Sequence, residues 1–514
     1  MSKAQKITED IKNDVEKVAK EGGISLLGNI LGKGLFFVTQ IVIVRLFGTE
    51  VFGLYVLGIT VAKMIEIVSR FGLDFGSMRF VSIYYKDDAA RTKGIILSSI
   101  GISFIGSIVI GVLLYLSAGF ISETFFYKPE LKEVIRAFSI CIPFVSTTFV
   151  VASTTQGFHT TKYAVYIREI FQPAINILFI LIFYFTSLRL MGAIFAFAIS
   201  YFFTFILSLY FLYKIYLNSI IEKPTSAIFE VRNILMYSIP LMFVSILNYI
   251  PSWTDILILG HFVSSKDISV YRVASLVPFL LTLVLNASNS IYAPLVAKLY
   301  DNGESNRLDG ILKITTRWVF NITLPALIIM VFFSKFIMSL FGTEFVEQGA
   351  PILIILASAH FVNCVTGGVA YTLIMTGKQK IEFLNTVMMV ITNIVLNYLL
   401  IPKYGGLGAA VASGIAFSAV NLIRLFEVYY LYRIHPYSMN YFSTLVAAGM
   451  SIIILYLLGQ INPLSGYFLF VLGIITTIST FLLSFCLSVK TEEDQHILYV
   501  LKIKFSDLII KMGI

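Results

Sequence analysis

Residues 25–79 contain two apolar runs joined by the short turn FGTEVFG. Each run is long enough to cross a bilayer, which takes about 20 apolar residues in a helix. Yet Lys33, Arg45, Glu66, Arg70 and Asp74 stand inside these runs or near their ends. A charge at that depth costs about 2.5–3.5 kcal/mol even on the gentler scales, so it must face protein or water rather than lipid. The hairpin therefore reads as one wall of a polar cavity inside a membrane protein.

The rest of the chain fits that solvent. Of its 514 residues, 58% are hydrophobic and 13% charged, with mean hydropathy +0.87. A soluble domain carries about a quarter charged residues. The opening MSKAQKITEDIKNDVEKVAKEGG mixes both charge signs and has no short apolar core, so no cleavable signal peptide is expected. Cys141, Cys364 and Cys486 lie in apolar runs without metal-ligand spacing and read as small core residues. The net charge of +9 is a matter of membrane topology, not of nucleic-acid binding.

Hydropathy and charged or Pro/Gly-rich gaps divide the chain into about fourteen spans, with cores from 24–48 to 465–488. With the N-terminus placed in the cytoplasm, the inner segments hold about two dozen Lys/Arg and the outer loops about five, as the positive-inside rule requires. The outer five are Lys128, Lys132, Arg189, Lys266 and Lys403. Both termini are then cytoplasmic, in a multi-pass protein of the cell membrane. Ile7, Ile11, Val15 and Val18 share one helical face, so residues 1–23 read as an amphipathic surface helix. The tail, 489–514, reads as a second surface helix.

The chain also resembles itself at an offset of about 216 residues. Tyr55 aligns with Tyr271, Val81 and Tyr85 with Val296 and Tyr300, and Met191-Gly192-Ala193 with Leu407-Gly408-Ala409. A six-span unit returns to its starting side, so the two halves are parallel repeats. The expected fold is all-α and polytopic: an N-lobe of spans 1–6 (24–214), a cytoplasmic linker (215–231), a C-lobe of spans 7–12 (232–432), and two extra helices (433–488).

The stretches VRLFGTEVFGLYVLGITV (44–61), FGLDFGSMRFV (71–81), DILILGHFVSSKDISVYRVASL (255–276) and IPKYGGLGAAVASGIAF (401–417) carry a family resemblance. The chain resembles the multidrug/oligosaccharidyl-lipid/polysaccharide exporter superfamily, and within it the Wzx-type polysaccharide biosynthesis flippases. The resemblance covers nearly the whole chain. It implies alternating-access transfer of a polyprenyl-linked oligosaccharide between leaflets, for polysaccharide or glycan assembly. The implied partners are the bilayer, the lipid-linked oligosaccharide and, by association, polysaccharide assembly enzymes.

Several polar residues suit such a task, each with a plainer alternative. Ser25, Asn29, Lys33, Phe36 and Gln40 fall three or four apart and share one face of the first span. Lys33 either meets a phosphate or is neutralised by Glu66. Glu66, Arg70 and Asp74 stand four apart, as a self-neutralising ladder or with Arg70 offered to substrate. Arg168, Gln172 and Asn176 make a stripe beside Pro173, with Arg168 a second phosphate contact. Arg45 reads as an interface anchor. In span seven Ser245, Asn248, Ser252 and Asp255 form a stripe, and Asp255 stands level with Arg272 as an ion pair or a gate.

The substrate-binding set is therefore Lys33, Arg70, Arg168, Glu66, Asn29 and Gln172, with Asp255, Arg272 and Asp74 as gate or ion pair. No catalytic residue, cofactor or resident metal is expected. A coupling ion, H+ or Na+, is admitted. A cation-coupled multidrug antiporter of the same superfamily is the alternative, although Asn29 and Lys33 stand where many such exporters carry an Asp. A glycosyltransferase would need an extramembrane domain or an acidic metal-binding loop, and GNILGK (28–33) falls short of a P-loop.

Overall fold

The computed structural model describes residues 3–186, 188–219, 226–438, 441–460 and 466–487, with side chains from 21 to 483 except those of 22, 26, 248 and 252. The amphipathic face of 7–18, the side chains of Asn248 and Ser252, and the tail 489–514 thus lie outside the described residues. Among the described residues all regular structure is helical. That is what a bilayer demands of a chain that must satisfy its backbone polar groups internally.

Among the described residues, thirteen helical stretches are long and apolar enough to cross a membrane. The first ten crossings are α1 (Gly23–Phe47), α2 (Thr49–Tyr84), α3 (Ala89–Phe125), α4 (Leu131–Gln156), α5 (Lys162–Tyr184), α6 (Arg189–Ser219), α7 (Val231–Phe262), α8 (Ser265–Asp301), α9 (Ser305–Phe332) and α10 (Thr343–Thr366). The next stretch, Gln379–Tyr432, has 54 residues. A straight helix of that length would run about 80 Å, more than twice a hydrocarbon core. It is broken at Gly405, whose φ of 56° and ψ of −133° lie outside any helix, three residues after Pro402. Side chains then pair across the break: Asn393 Nδ2 donates to Ser413 Oγ at 2.9 Å, and Asn385 Nδ2 to Glu427 Oε2 at 2.6 Å. Partners on either side step away from Gly405 together, which defines an antiparallel hairpin of α11 (379–404) and α12 (406–432). With α13 (Tyr441–Gly459) and α14 (Gly466–Leu487), the expected fourteen crossings are accounted for.

Two further irregularities place site residues. α2 stops at Arg70 and restarts at Leu73. Phe71 and Gly72 carry φ of 53° and 69° between the two pieces. A Cβ on Gly72 would lie 2.0 Å from the Ser238 carbonyl oxygen, so only glycine fits this close approach to α7. In α5, Tyr166–Phe171 form a π-turn just ahead of Pro173. A proline there cannot bond back into the preceding turn, and the wider turn absorbs the loss.

Contacts group Met1–Leu276, Met338–Ile352 and Val390–Ala416 into one compact unit, and Val277–Ile337, Leu353–Met389 and Phe417–Ile514 into a second. In the first, Leu73, Val81, Ile95, Val150, Phe158 and Ile234 pack α2, α3, α4 and α7 together. Buried hydroxyls such as Ser99, Ser103, Thr154, Ser200 and Thr204 let these helices approach closely. In the second, Tyr292, Leu308, Leu312, Val369 and Val428 form the core, and Tyr292 Oη bonds Thr372 Oγ1 at 2.8 Å.

Candidate functional site

A cavity of about 150 Å³ opens between α2, α4, α6 and α7 within the first unit. Its polar wall is Lys63, Glu66 and Arg70; its aromatic wall includes Tyr201, Tyr249 and Trp253. A smaller cavity of about 80 Å³ shares Arg70 and Tyr249 and adds Asp74 and Ser245. Arg70 thus stands at the junction of the two.

Arg70 is held on both sides. Its Nε and Nη2 donate to the two oxygens of Glu66 at 2.5 and 2.6 Å, a bidentate fork. Its Nη1 lies 3.7 Å from Asp74 Oδ2. The guanidinium also lies over the Phe149 ring, 3.8 Å from the centroid. The three residues four apart therefore do form a ladder, and it opens onto the cavities rather than onto lipid.

The pairing offered as the alternative for Lys33 differs. Glu66 is engaged by Arg70, and the acid acting on Lys33 is Glu169. Glu169 reaches it from the π-turn of α5 by packing on Gly32, where a Cβ would stand 2.7 Å from the Glu169 Cβ. Arg168, on the same turn, points the other way. Its Nη2 donates to the Phe149 carbonyl at 2.6 Å and to Ser153 Oγ at 2.7 Å, and it shares the Phe149 ring with Arg70 at 4.8 Å. Gln172 Nε2 donates to Ser200 Oγ at 3.1 Å and ties α5 to α6. Asn29 Nδ2 donates to the Ser25 carbonyl of its own helix at 2.7 Å. Lys33, Arg168, Gln172 and Asn29 line neither cavity.

Asp255 and Arg272 do not pair. Asp255 is buried and takes hydrogen bonds from the Tyr271 hydroxyl, from Ser413 Oγ at 2.6 Å, from Asn397 Nδ2 at 2.7 Å and from Asn393 Nδ2 at 3.2 Å. Four neutral donors from three elements meet its hydrogen-bonding capacity, but none of them carries a charge to offset its own. Arg272, one residue beyond Tyr271, turns instead to Phe36 of α1, 6.0 Å from the ring centroid.

Lys63 completes the site, and the sequence reading passes over it. Its ammonium lies 6.0 Å from the same Phe36 ring, exposed to the cavity. Lys63 and Arg272 act on each other electrostatically, and neither forms an ion pair among the described residues. The signal was available: Lys63 stands three before Glu66 and seven before Arg70, on one helix face.

Two cations bond backbone carbonyls near helix ends of this unit. Arg45 Nε and Nη2 donate to the carbonyls of Ser339 and Leu340 at 2.7–3.1 Å. Lys128 Nζ donates to the Gly260 carbonyl at 2.6 Å, at the end of α7. Burial pushes the Lys128 ammonium below its ordinary value, against a smaller opposing effect of Glu130. Among the described residues no group of His, Cys, Asp and Glu could hold a metal ion by itself.

This fold and this lining define a class: a polytopic helical membrane protein with a cavity that carries Lys63, Glu66 and Arg70 on one wall and aromatic rings on another. The profile of the family described as polysaccharide biosynthesis protein matches residues 18–300, and that described as MatE matches 240–399. The chain belongs to the polysaccharide biosynthesis protein family. It is 28% identical over 208 residues to a probable low-salt glycan biosynthesis flippase of Haloferax volcanii, covering 40% of this chain and 43% of that one. The chain thus spans less than half the length of that relative. It is 23% identical to a capsular polysaccharide biosynthesis protein of Staphylococcus aureus over 81% of this chain and 99% of that one. In fold it is similar to the lipid II flippase MurJ in an inward closed conformation, with TM-score 0.72 at 17% identity over 89% of this chain and 97% of that one.

Proposed function

We propose that the protein is a flippase that carries a polyprenyl-(pyro)phosphate-linked oligosaccharide across the cytoplasmic membrane by alternating access. The observation that carries this reading is the Lys63 ammonium, exposed to the larger cavity and in no ion pair among the described residues, beside an Arg70 already engaged by Glu66, which leaves that cavity's lining one positive charge in excess. A phosphate or pyrophosphate supplies the missing anion, and a guanidinium offers it a fork. A cavity of about 150 Å³ holds about five waters at roughly 30 Å³ each, far less than an oligosaccharide head. Passage therefore requires the closed contacts at Arg45 and Lys128 to part. With both termini cytoplasmic, those contacts form the outer gate, and two parallel six-helix lobes rock about the site. Assembly enzymes on either side hand over and receive the lipid-linked glycan.

Asp255 supports coupling to an ion. A buried carboxylate without a cation is costly unless it takes a proton or a small cation. The Asn397 Oδ1 beside it is buried without a partner, an acceptor suited to the same occupant. The match of residues 240–399 to the MatE profile favours a second reading, a cation-coupled multidrug antiporter. A cavity with surplus positive charge repels a drug cation, which sets the two apart.

The test is flipping of a lipid-linked oligosaccharide in proteoliposomes, read by a membrane-impermeant glycosidase. The wild type should expose the glycan, and the triple variant Lys63→Gln/Arg70→Gln/Arg272→Gln should not. Equal flipping by both, or drug resistance conferred on sensitive cells, would overturn the reading.

A further inference from the structure

The aromatic wall has a geometry that the phosphate-binding cations do not require. Tyr249 and Trp253 stand one turn apart on α7 with their rings stacked, centroids 5.4 Å apart and planes 11° from parallel. Trp253 is 7% exposed and backs the pair, while Tyr249 is 49% exposed. The open face of Tyr249 lies where the two cavities meet, because Tyr249 lines both. Phe149, across the site, is already covered by two guanidiniums and offers no comparable free face. Tyr201 adds a ring at the other edge, tilted on Phe197 at 4.7 Å. Around this platform stand groups that bond hydroxyls: the Glu66 carboxylate and Arg70, which acts electrostatically on both Tyr201 and Tyr249.

A flat apolar face ringed by charged hydrogen-bonding groups suits a ligand that is apolar on one side and hydroxylated at its rim. A pyranose ring has that character: its axial C–H bonds form an apolar face and its equatorial hydroxyls point outward. A bare phosphate, a drug cation or a prenyl chain has no use for both halves of the arrangement. Tyr and Trp supply such contact area at small conformational cost, since each has two side-chain torsions.

We infer that Tyr249, backed by Trp253, is the stacking platform for the sugar ring next to the phosphate, and that it sets which glycans enter the cavity. The inference rests on the flippase reading and adds to it a specificity-determining position. The cations hold the phosphate whatever sugar follows. Tyr249 favours rings with a continuous C–H face and disfavours those whose axial hydroxyls interrupt it.

The chain offers its own reporter, since Trp253 and Trp318 are its two tryptophans. In the full-length Trp318→Phe protein, Trp253 emission is titrated with inorganic pyrophosphate, glucose 1-phosphate and inorganic phosphate. Glucose 1-phosphate should bind roughly tenfold tighter than phosphate, the effect of burying about 60 Å² of C–H surface. Tyr249→Ala should erase that advantage and leave pyrophosphate affinity within about twofold of the parent. Tyr249→Phe, which keeps the ring, should retain it. If the parent binds glucose 1-phosphate no better than phosphate, or if Tyr249→Ala keeps the preference, the platform is refuted while the cation site stands. If no anion binds, the flippase reading falls and the inference falls with it.

Discussion

Lys63 and Arg70 are both cations at one cavity, yet they should answer oppositely to loss of charge. Lys63 Nζ and Arg272 Cζ each lie 6.0 Å from the Phe36 centroid. They are therefore at most about 12 Å apart, and at an effective dielectric of about 20 they repel by at least ~1.4 kcal/mol. Lys63 is exposed to the cavity, so water screens this to about half, ~0.7 kcal/mol. Lys63→Met removes the repulsion and keeps an apolar stem against Phe36. It gives up an ammonium–ring contact of about 0.5 kcal/mol at such a wet site. The net expectation is no loss of stability, with a gain of up to about 0.5 kcal/mol if the two cations are closer than the upper bound.

Arg70→Met instead strands Glu66, which is 3% exposed, and leaves Asp74 without its cation. Removing one partner of a buried pair costs about 3–5 kcal/mol, and Asp74's partial access to water places this case near 3. Each kcal/mol moves Tm by about 2–4 °C in a domain of 150–250 residues and by less in a longer chain. Thermal unfolding in detergent should then show Lys63→Met at or slightly above the parent and Arg70→Met lower by about 3–6 °C. Both should lose flipping. If Lys63→Met melts as low as Arg70→Met, Lys63 is a structural counter-ion of Glu66 and the cavity has no surplus charge to offer a phosphate.

Asp255→Asn should abolish the dependence of flipping on the Na+ or proton gradient while leaving Tm close to the parent's, because the amide keeps Oδ1 for Asn393 and Asn397 while the Tyr271 and Ser413 hydroxyls can turn to accept from its Nδ2; gradient dependence that persists in this variant would refute a coupling role. Gly53→Ala should loosen the contact of α2 with α8, since its Cβ would lie 1.7 Å from the Ser265 carbonyl oxygen. A cost of about 1–3 kcal/mol is expected, read as faster hydrogen exchange over residues 264–271, and unchanged exchange would contradict it.

The helical crossings were legible because hydropathy alone sets them. The break at Gly405 was legible too, since Pro402 and two adjacent glycines interrupt an otherwise continuous apolar stretch. What a single chain hides is which polar faces meet. Asp255 read as a partner of Arg272 because the two stand near one level. Its actual partners, Asn393, Asn397 and Ser413, come from a hairpin well over a hundred residues away. The Asn pair four apart in an apolar span was a visible cue, but nothing local says which acid it serves. Glu66 was the alternative offered for neutralising Lys33 for the same reason, whereas the acid acting on it is Glu169. Glu169 reaches it only through the π-turn that Pro173 brings about, which no periodicity reveals.

Phe149 gives its single ring to two guanidiniums, those of Arg70 from α2 and Arg168 from α5. The two arginines consequently behave as yoked parts: one cannot swing after a departing anion without unseating the other. Phe149 of α4 is thus the common support through which a displacement of Arg70 on α2 would reach Arg168 on α5.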